Sequence, residues 1–462
     1  MRPVTAQWVA NAVGGELAAD VHASVSSVIK DSRDAVDGAL YAAFVGERVD
    51  GHDYAPQAFA AGASLALVSQ PVPGPHVLVE DVTAALGRLA AAYLALLRTE
   101  GDITVIGITG SNGKTTTKDL LAQVLPDAIA PEGSFNNEIG LPLTVLRADA
   151  TTRHLVLEMG ASAPGDLAYL TAIAPLDIAV VLTVGSAHLG GYGSPEGLAE
   201  EKATLLDGLV PGGVALLNAD DARVAAMAQR PVLGEDGRRT STFGTAASAA
   251  LRASAVTVDR GRARFHVEAA GEAADAALTL VGEHHVTNAL AATAVALERG
   301  LDLSRASALV GAARPLSPHR MALTERADGV WILDDSYNAS PESMAAALRA
   351  LKDVATTGRS FAVVGEMREM GESSRAGHEE VGLTVVRLRI DHLLAVGEGA
   401  RPVYVSAVRE GSWGDEAAYV ATIDEARAYL DARLEPGDTV LIKASHGSGL
   451  WKLADELLGV DA

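Results

Sequence analysis

The segment that decides the fold is Ile103-Thr-Val-Ile-Gly-Ile-Thr-Gly-Ser-Asn-Gly-Lys-Thr-Thr-Thr117. It begins as an apolar run, which is typical of a strand covered on both faces in a parallel sheet. A glycine-rich turn with Lys114 and Thr115 follows, and Lys118 to Leu125 is a helical stretch. In this context the loop indicates nucleotide binding, because backbone N–H groups and the helix N-terminus face the phosphates.

The loop also predicts individual roles. Lys114 reaches the β- and γ-phosphates, and the Thr115 hydroxyl faces magnesium. Ile108 stands where such loops commonly have a glycine, so this loop is a shorter variant, and an αβ turn with an accidental Gly-Lys pair is the simpler alternative. The predicted ATP-binding residues of the loop are Gly110, Ser111, Asn112, Gly113, Lys114, Thr115 and Thr116.

The pattern on both sides of the loop predicts an α/β protein of three domains, as the length of 462 residues also suggests. Residues 1–98 mix short strands and helices and form a small α/β domain. Apolar runs at 103–109, 155–158, 178–184 and 214–218 predict a central parallel-sheet domain over residues 99–313, with a weaker antiparallel insert between Gln229 and Leu280. Pro315 and Pro318 mark a linker, and residues 314–462 form a Rossmann-like, doubly wound domain.

Composition excludes several classes of protein. The net charge of -22 argues against nucleic-acid binding, which needs basic surfaces. The best candidate for a membrane span, Leu86 to Leu97, is short and is interrupted by Arg88, so we expect a buried helix face and no span. The sequence shows no export signal and has no cysteine, and we therefore expect a cytoplasmic protein.

Three polar residues follow the predicted central strands. Glu158 ends an apolar strand at the sheet edge where ligands gather, and there it could hold magnesium beside Thr115. His188 follows the next strand, and Lys202 lies in a helical stretch. Taken singly, each has a simpler interpretation. Glu158 is then a helix cap or a solvated acid, His188 a polar residue with satisfied hydrogen bonds, and Lys202 an exposed lysine.

Together these segments resemble the Mur ligase family. The loop, Phe135-Asn-Asn-Glu-Ile-Gly-Leu-Pro142, Glu158-Met-Gly160, Ala187-His-Leu189, Lys202 and His284-His-Val-Thr-Asn-Ala-Leu290 resemble its central domain, in that order. Asp334-Asp-Ser-Tyr-Asn-Ala-Ser-Pro341 and Val364-Gly-Glu-Met-Arg-Glu-Met-Gly371 resemble the C-terminal domain of the member that adds D-alanyl-D-alanine. Asp31-Ser-Arg33 and Gly46-Glu-Arg-Val-Asp-Gly-His-Asp-Tyr54 resemble its UDP-substrate domain, so the resemblance covers essentially the whole chain.

The resemblance implies an ATP-dependent, amide-forming ligase of cell-wall synthesis. Its substrates are UDP-N-acetylmuramoyl-tripeptide and D-alanyl-D-alanine, which are joined through an acyl phosphate to give the UDP-linked pentapeptide, ADP and phosphate. The family also implies a cytoplasmic monomer. Whether the third residue of the tripeptide is diaminopimelate or lysine stays open.

Site residues are implied in the same way. Lys114, His188 and Lys202 are catalytic; Thr115 and Glu158 hold one Mg²⁺, and His188 with a carbamylated Lys202 holds the second. Asn288, Arg320 and Asp335 complete the ATP site, the last two from the third domain. The implied substrate-binding residues are Ser32, Arg33, Asp50, His52, Asn136, Asn137, Tyr337 and Asn338.

Three departures from the family pattern leave the residues that contact the dipeptide open. His319 stands where glycine is common, Ser340 where asparagine is usual, and Lys443-Ala-Ser-His-Gly447 replaces Lys-Gly-Ser-Arg. Another ligase of the superfamily is the nearest alternative, although the C-terminal domain lacks the Asp-Asn-Pro-Arg motif of the diaminopimelate adder. A nucleotide-dependent switch is the alternative from another class, and Glu158, His188 and Lys202 together disfavour it because a simple binder has no need of a second metal.

Overall fold

The structure is a computed structural model of the chain and describes residues 1–46, 48–185, 192–411 and 414–460. It confirms the α/β class with three sheet-based units. The main sheets lie within residues 16–78, 104–281 and 322–443. The domain boundaries near residues 98 and 313 stay a prediction.

The first unit is built on a five-stranded sheet of order β2-β7-β6-β5-β4, in which only the β2–β7 pair is antiparallel. A separate antiparallel pair joins β1 and β3. Its elements are β1 (Val4–Thr5), α1 (Ala6–Val13), β2 (Glu16–Ala18), β3 (Ser24–Val25), β4 (Ser27–Ile29), β5 (Ala39–Ala42), α2 (Ala55–Ala61), β6 (Ala63–Val68), β7 (His76–Leu78) and α3 (Val82–Glu100).

The second unit has a nine-stranded sheet of order β16-β15-β14-β13-β12-β11-β8-β10-β9. Its strands are β8 (Thr104–Thr109), β9 (Ala128–Ile129), β10 (His154–Glu158), β11 (Leu176–Val181), β12 (Leu209–Asn218), β13 (Arg239–Gly244), β14 (Leu251–Asp259), β15 (Arg262–Ala269) and β16 (Glu272–Val281). Its helices are α4 (Lys114–Val124), α5 (Gly140–Val145), α6 (Asp166–Ile173), α7 (Pro195–Asp207), α8 (Ala222–Ala226), α9 (His285–Glu298) and α10 (Leu303–Ala312).

The predicted antiparallel insert needs correction. β13 pairs in parallel with β12 and with β14, so it continues the central sheet, and the antiparallel pairs in this region are β14–β15 and β15–β16. The prediction of an insert came from the alternation of Thr and Val in this region. That alternation reflects strands that expose one face to solvent, and these strands extend the same sheet at its edge.

The third unit is doubly wound, with a sheet of order β17-β18-β22-β19-β20-β21 in which β17 alone is antiparallel. Successive residues of β19, such as Ala362 and Val363, point to opposite faces of the sheet and belong to two different apolar clusters. Helices therefore cover both faces. Its elements are β17 (Ala322–Glu325), β18 (Trp331–Asp335), α11 (Pro341–Val354), β19 (Ser360–Val364), α12 (Ser374–Arg387), β20 (His392–Val396), α13 (Arg401–Glu410), β21 (Ala417–Val420), α14 (Ile423–Asp431), β22 (Thr439–Lys443) and α15 (Trp451–Leu458).

The long helix α3 joins the first two units. Within the described ranges it is the one helix that is long and apolar enough to cross a membrane by length and composition alone. Its buried residues, among them Leu86, Tyr93 and Leu97, pack in one apolar cluster with residues of both units, such as Val9 and Leu141. This packing is that of a core helix, as the sequence predicted.

The linker to the third unit is fastened to α4, the helix that follows the phosphate loop. The Asp119 carboxylate accepts hydrogen bonds from the backbone N–H groups of Leu316 and Ser317, at 3.3 and 2.8 Å. Lys118 pairs with Asp119 and donates to the Ser317 hydroxyl at 3.1 Å. The start of the third unit is therefore held beside the loop.

Replacing Tyr93 with phenylalanine tests the junction of the first two units. Its hydroxyl donates to the Ala148 carbonyl and accepts from the Arg2 backbone N–H, both at 2.8 Å. Losing this bridge leaves buried polar groups unpaired, so we expect the free energy of unfolding to fall by about 1–3 kcal/mol in urea denaturation.

Tyr429→Phe is the matched control, because the buried Tyr429 hydroxyl has no hydrogen-bond partner among the described residues. This substitution is expected to be neutral. Equal destabilisation by the two substitutions would contradict the bridging role of Tyr93.

Candidate active site

A cavity of about 460 Å³ lies between the second and third units, at the carboxyl ends of β8 and β10. From the second unit it is lined by residues 111–116, Ser134, Asn136, Glu158, residues 160–162, His284, His285 and Asn288. From the third unit it is lined by Arg320, Met321, Asp335, Tyr337, Asn338, Glu342, Ser343, Ala346, Arg349 and Lys443. The structure thus brings most of the predicted ATP-site residues together.

The phosphate loop leaves the start of α4 open. Gly113 has φ 87°, and a Cβ there would lie 2.2 Å from Asn288 Oδ1, so the close approach of Asn288 requires glycine. No side chain caps the first turn of α4. Its N–H groups, with the positive end of the helix dipole, are available to an anion in the cavity.

Lys114 lies at this opening. Its ammonium donates to the Gly110 carbonyl at 2.7 Å, within its own loop. Burial lowers the pKa of the Lys114 ammonium, and the nearby Glu158 carboxylate opposes that shift. A phosphate group in the cavity would further favour the charged form.

Thr115 and Glu158, predicted to share a magnesium ion, are in direct contact. The Thr115 hydroxyl donates to Glu158 Oε2 at 2.9 Å, and Asn136 Nδ2 donates to Oε1 at 2.7 Å. Glu158 is 1% exposed. A buried carboxylate beside a hydroxyl offers the hard oxygen ligands that Mg²⁺ prefers, so these residues fit the ion.

Ser134 and Arg320 extend this cluster. Arg320 Nη2 donates to the Ser134 hydroxyl at 2.9 Å and to Thr115 Oγ1 at 3.2 Å, and the two hydroxyls are 2.8 Å apart. Arg320 therefore carries a positive charge from the third unit onto the end of the phosphate loop. Sequence reasoning missed Ser134, and its position directly before the Phe135–Pro142 motif was the available signal.

Lys202 is buried in α7, with an exposure of 2%, and this excludes its interpretation as an exposed helix lysine. Burial, assisted by the charge of Lys114, lowers the pKa of the Lys202 amine to about 7. Its predicted partner His188 lies outside the described residues. Within the described ranges, no group of three or more His, Cys, Asp and Glu side chains is arranged to hold a metal ion, so the second magnesium site stays a prediction.

The third unit supplies a second polar network. The buried Lys443 ammonium donates to Asp335 Oδ2 at 2.6 Å and to the Asn338 carbonyl at 2.7 Å. The Tyr337 ring lies under the Arg320 guanidinium, 4.1 Å from ring centroid to Cζ. Asp335, Tyr337 and Asn338 thus line the cavity, and so does Lys443, to which the sequence assigned no role.

Two histidines lie beside Asn288, near Gly113 of the phosphate loop, and line the cavity with it. Asn288 Nδ2 is 3.0 Å from His285 Nδ1, and the His284 and His285 rings lie 4.1 Å apart. Desolvation in the cavity lowers the pKa of His284 to about 4, although part of its surface is open to solvent, and burial lowers that of His285 well below its ordinary value. Both rings are therefore neutral near pH 7 and present apolar faces.

A second cavity, of about 530 Å³, lies on the first unit and is lined by Ser32 and Arg33, whose binding of the UDP end stays a prediction. Arg33 pairs with Asp31 and holds the pKa of that carboxyl well below its usual range. The Lys30 ammonium lies 4.6 Å from the centroid of the Phe135 ring, which connects this cavity to the second unit.

Three predicted substrate residues do not line either cavity. The buried His52 accepts from the Ser69 N–H at 2.9 Å and pairs with Asp50 at 2.6 Å, so these two side chains hold the loop behind the second cavity. Asn137 Oδ1 accepts from the Gly140 N–H at the start of α5. Their substrate contacts therefore stay predictions without geometric support.

Comparison with protein families places matches along most of the chain. The matching family models are described as Mur ligase family, catalytic domain (residues 24–94), Mur ligase middle domain (residues 108–296), and Mur ligase, glutamate ligase domain (residues 319–446).

Curated relatives match from end to end. The UDP-N-acetylmuramoyl-tripeptide--D-alanyl-D-alanine ligase of Mycobacterium tuberculosis is 42% identical, with 100% of this chain and 99% of that protein covered. The ligases of the same name from Bacillus subtilis and Escherichia coli are each 32% identical, with 98% and 99% of both proteins covered, respectively.

Solved structures agree. MurF from Acinetobacter baumannii superimposes with a TM-score of 0.88 at 28% identity, over 99% of both chains. MurF ligase from Thermotoga maritima in complex with ADP has a TM-score of 0.77 at 28% identity, over 94% of this chain and 98% of that one. A UDP-N-acetylmuramoyl-L-alanyl-D-glutamate--2,6-diaminopimelate ligase has a TM-score of 0.54 at 18% identity, which shows the fold alone.

Replacing Glu158 with glutamine tests the magnesium position. Glutamine keeps the shape of the side chain but removes the charge that a divalent cation needs, so we expect the affinity for ADP in the presence of Mg²⁺ to fall about tenfold or more. Without magnesium, the affinity for ADP should change little. Isothermal titration calorimetry with and without MgCl₂ measures both.

Glu298→Gln is the matched control, because Glu298 pairs with Arg239 near the other end of α9 from Asn288. It should leave both affinities unchanged. If Mg²⁺ changes the affinity for ADP equally in the Glu158 variant and in the wild-type protein, Glu158 is not a magnesium ligand.

Proposed function

The chain belongs to the Mur ligase family, and we propose that it joins D-alanyl-D-alanine to UDP-N-acetylmuramoyl-tripeptide at the expense of ATP. The products are the UDP-linked pentapeptide precursor of peptidoglycan, ADP and phosphate. The substrates are those in the names of full-length relatives. The contact that carries the proposal is the Thr115–Glu158 pair at the phosphate loop, with Arg320 of the third unit on the same hydroxyl.

ATP is needed because a carboxylate and an ammonium do not condense in water: the carboxylate is a poor electrophile and has no good leaving group. In the proposed first step, an oxygen of the peptide carboxylate attacks the γ-phosphorus, and ADP leaves. The amine of D-alanyl-D-alanine then attacks the acyl carbon of the resulting acyl phosphate. Phosphate leaves with its bonding electrons, and the nitrogen loses a proton.

The residues of the chain act mainly through charge and position. Lys114, Arg320 and the N-terminus of α4 would face the phosphates, and Thr115 and Glu158 would hold a magnesium ion that offsets their negative charge. Arg320 belongs to the third unit, so docking of this unit would complete the site. Asn288, which lines the cavity with His284 and His285, would hold the ATP there as well.

Lys202 is proposed to act as a carbamate beside His188. A buried ammonium is costly, and Lys114 repels it, whereas a carbamate is an anion that Lys114 attracts. The carbamate forms when the neutral amine attacks carbon dioxide and loses a proton. Its oxygens would then hold the second magnesium ion.

Ser32 and Arg33 are proposed to bind the UDP end of the sugar nucleotide in the cavity of the first unit. The peptide would run past Lys30 and Phe135, where the two units meet, toward Asn136. We further propose that the enzyme is a cytoplasmic monomer, as the resemblance to the family implies, since its nucleotide-linked substrates are soluble.

Substrate dependence of phosphate release tests the reaction itself. We expect steady release of phosphate from ATP only when UDP-N-acetylmuramoyl-tripeptide and D-alanyl-D-alanine are both present, because each step needs its acceptor. A coupled phosphate assay with each substrate omitted in turn measures this, and D-alanine alone is the control acceptor. Equal turnover with ATP alone would favour a nucleotide switch.

Chemical rescue tests the carbamate. Lys202→Ala should lower the rate of ligation about a hundredfold or more, and millimolar acetate or propionate should restore part of it by supplying the missing carboxylate. Lys352→Ala is the control, because Lys352 donates to the Arg389 carbonyl at the surface of the third unit. An unchanged rate in Lys202→Ala, or no rescue by any short acid, would count against the carbamate.

A further inference from the structure

Arg320 lies between two residues with strained backbone. His319 has φ 59° and Met321 has φ 52°, and neither is a glycine. Residues other than glycine rarely adopt this left-handed backbone conformation, and they remain in it only when surrounding contacts hold them. Arg320 lines the cavity between the second and third units. Strained backbone on both sides of this residue requires a contact that holds the backbone in place.

The contact is made by His319. Its Nδ1 lies 2.6 Å from Asp334 Oδ2, and Asp334 is 3% exposed. The other carboxylate oxygen of Asp334 accepts from the Ser336 N–H at 3.1 Å and from the Ser336 hydroxyl at 2.6 Å, so it cannot swing away. The His319 carbonyl also accepts from the Tyr337 N–H at 3.3 Å. These bonds tie the end of the linker to the loop after β18.

Arg320 is consequently held by the third unit and extends toward the second unit. Its guanidinium rests on the Tyr337 ring of the third unit, while its Nη2 donates to Thr115 and Ser134 of the second unit. Its Nε has no hydrogen-bond partner among the described residues. The arginine is thus held by the third unit, and its Nη2 is directed toward the phosphate loop.

We propose that His319, paired as a cation with Asp334, is the positioning residue that aims Arg320 at the phosphates of ATP, so that nucleotide affinity depends on the charge of this imidazole. The inference rests on the proposed function, since it needs Arg320 to contact ATP. His319 itself does not line the cavity, and so it acts through Arg320.

The charges around His319 set the direction of the pH effect. Asp334 on β18 raises the pKa of the imidazole above its ordinary value, Asp455 on α15 adds to this from 4.0 Å, and Arg320 opposes it. On its remaining side the ring packs on Trp451, with His446 across that indole. The pair is complete below about pH 6.5 and is lost as pH rises through the raised pKa. ATP affinity should fall over that window.

His319→Asn is the test. Asparagine tolerates the left-handed backbone and can donate one hydrogen bond to Asp334, but it carries no charge. In ligation assays with the full chain at pH 7, we expect KM for ATP to rise about fivefold to tenfold. We expect kcat to stay within about twofold, and KM for UDP-N-acetylmuramoyl-tripeptide to stay unchanged. The pH-dependent rise of KM for ATP above pH 6.5 should be absent from this variant.

Asp334→Asn should reproduce the same pattern, since it removes the other half of the pair. His266→Asn is the matched control, because His266 also pairs with an aspartate, Asp275 at 3.0 Å, but on the exposed hairpin of β15 and β16. It should leave every constant and the pH profile at wild-type values.

The dissociation constant of ADP with Mg²⁺, measured by calorimetry from pH 6 to 9, gives a second readout that needs no ligation. An unchanged constant and profile in His319→Asn overturns the inference. So does a uniform loss of kcat and of both affinities together with a lower Tm, which is the result of a merely structural role. Absence of ligation by the wild-type enzyme counts instead against the proposed function.

Discussion

The parallel register of β8 and β10 is the constraint on which the site depends. It pairs Glu158 with Ile108, two residues before the phosphate loop begins at Gly110, so a carboxylate lies at the sheet edge where α4 begins. The hydrogen bond from Thr115 to Glu158 follows from that register. A slip of one residue would turn Glu158 to the other face of the sheet and separate the two ligands.

The same edge has to bring together groups that repel one another: a triphosphate, a peptide carboxylate and the acidic protein around them. The cations at this edge come from different elements, Lys114 from the loop and Arg320 from the third unit. The linker that carries Arg320 is bound to α4 through Asp119 and Ser317, so loop, linker and arginine form one connected structure. The positive charge at this edge therefore depends on how the third unit is held against the second.

The sequence predicted the fold and most of the residues that line the candidate site, because both depend on local patterns. Apolar runs marked the buried strands, and glycines with Lys114 and Thr115 marked the loop. It could not show Ser134 and Lys443 as parts of the site, since their importance comes from contacts with Thr115, Arg320 and Asp335 that are distant in sequence. Asp50 and His52 have the residue types of a binding site, yet they pair with each other, and their other contacts include the Ser69 N–H and the Gln70 side chain. Burial of Lys202 was also beyond its local sequence, which reads as an exposed helix.

Transfer of the γ-phosphoryl group to the peptide carboxylate is the proposed step that these contacts would serve, and oxygen labelling tests it directly. UDP-N-acetylmuramoyl-tripeptide with ¹⁸O in its terminal carboxylate is incubated with ATP, magnesium, D-alanyl-D-alanine and the full chain, and the released phosphate is analysed by ³¹P NMR. An acyl-phosphate route places one ¹⁸O atom in each phosphate released during ligation. Phosphate free of the label, with pentapeptide formed, would contradict it.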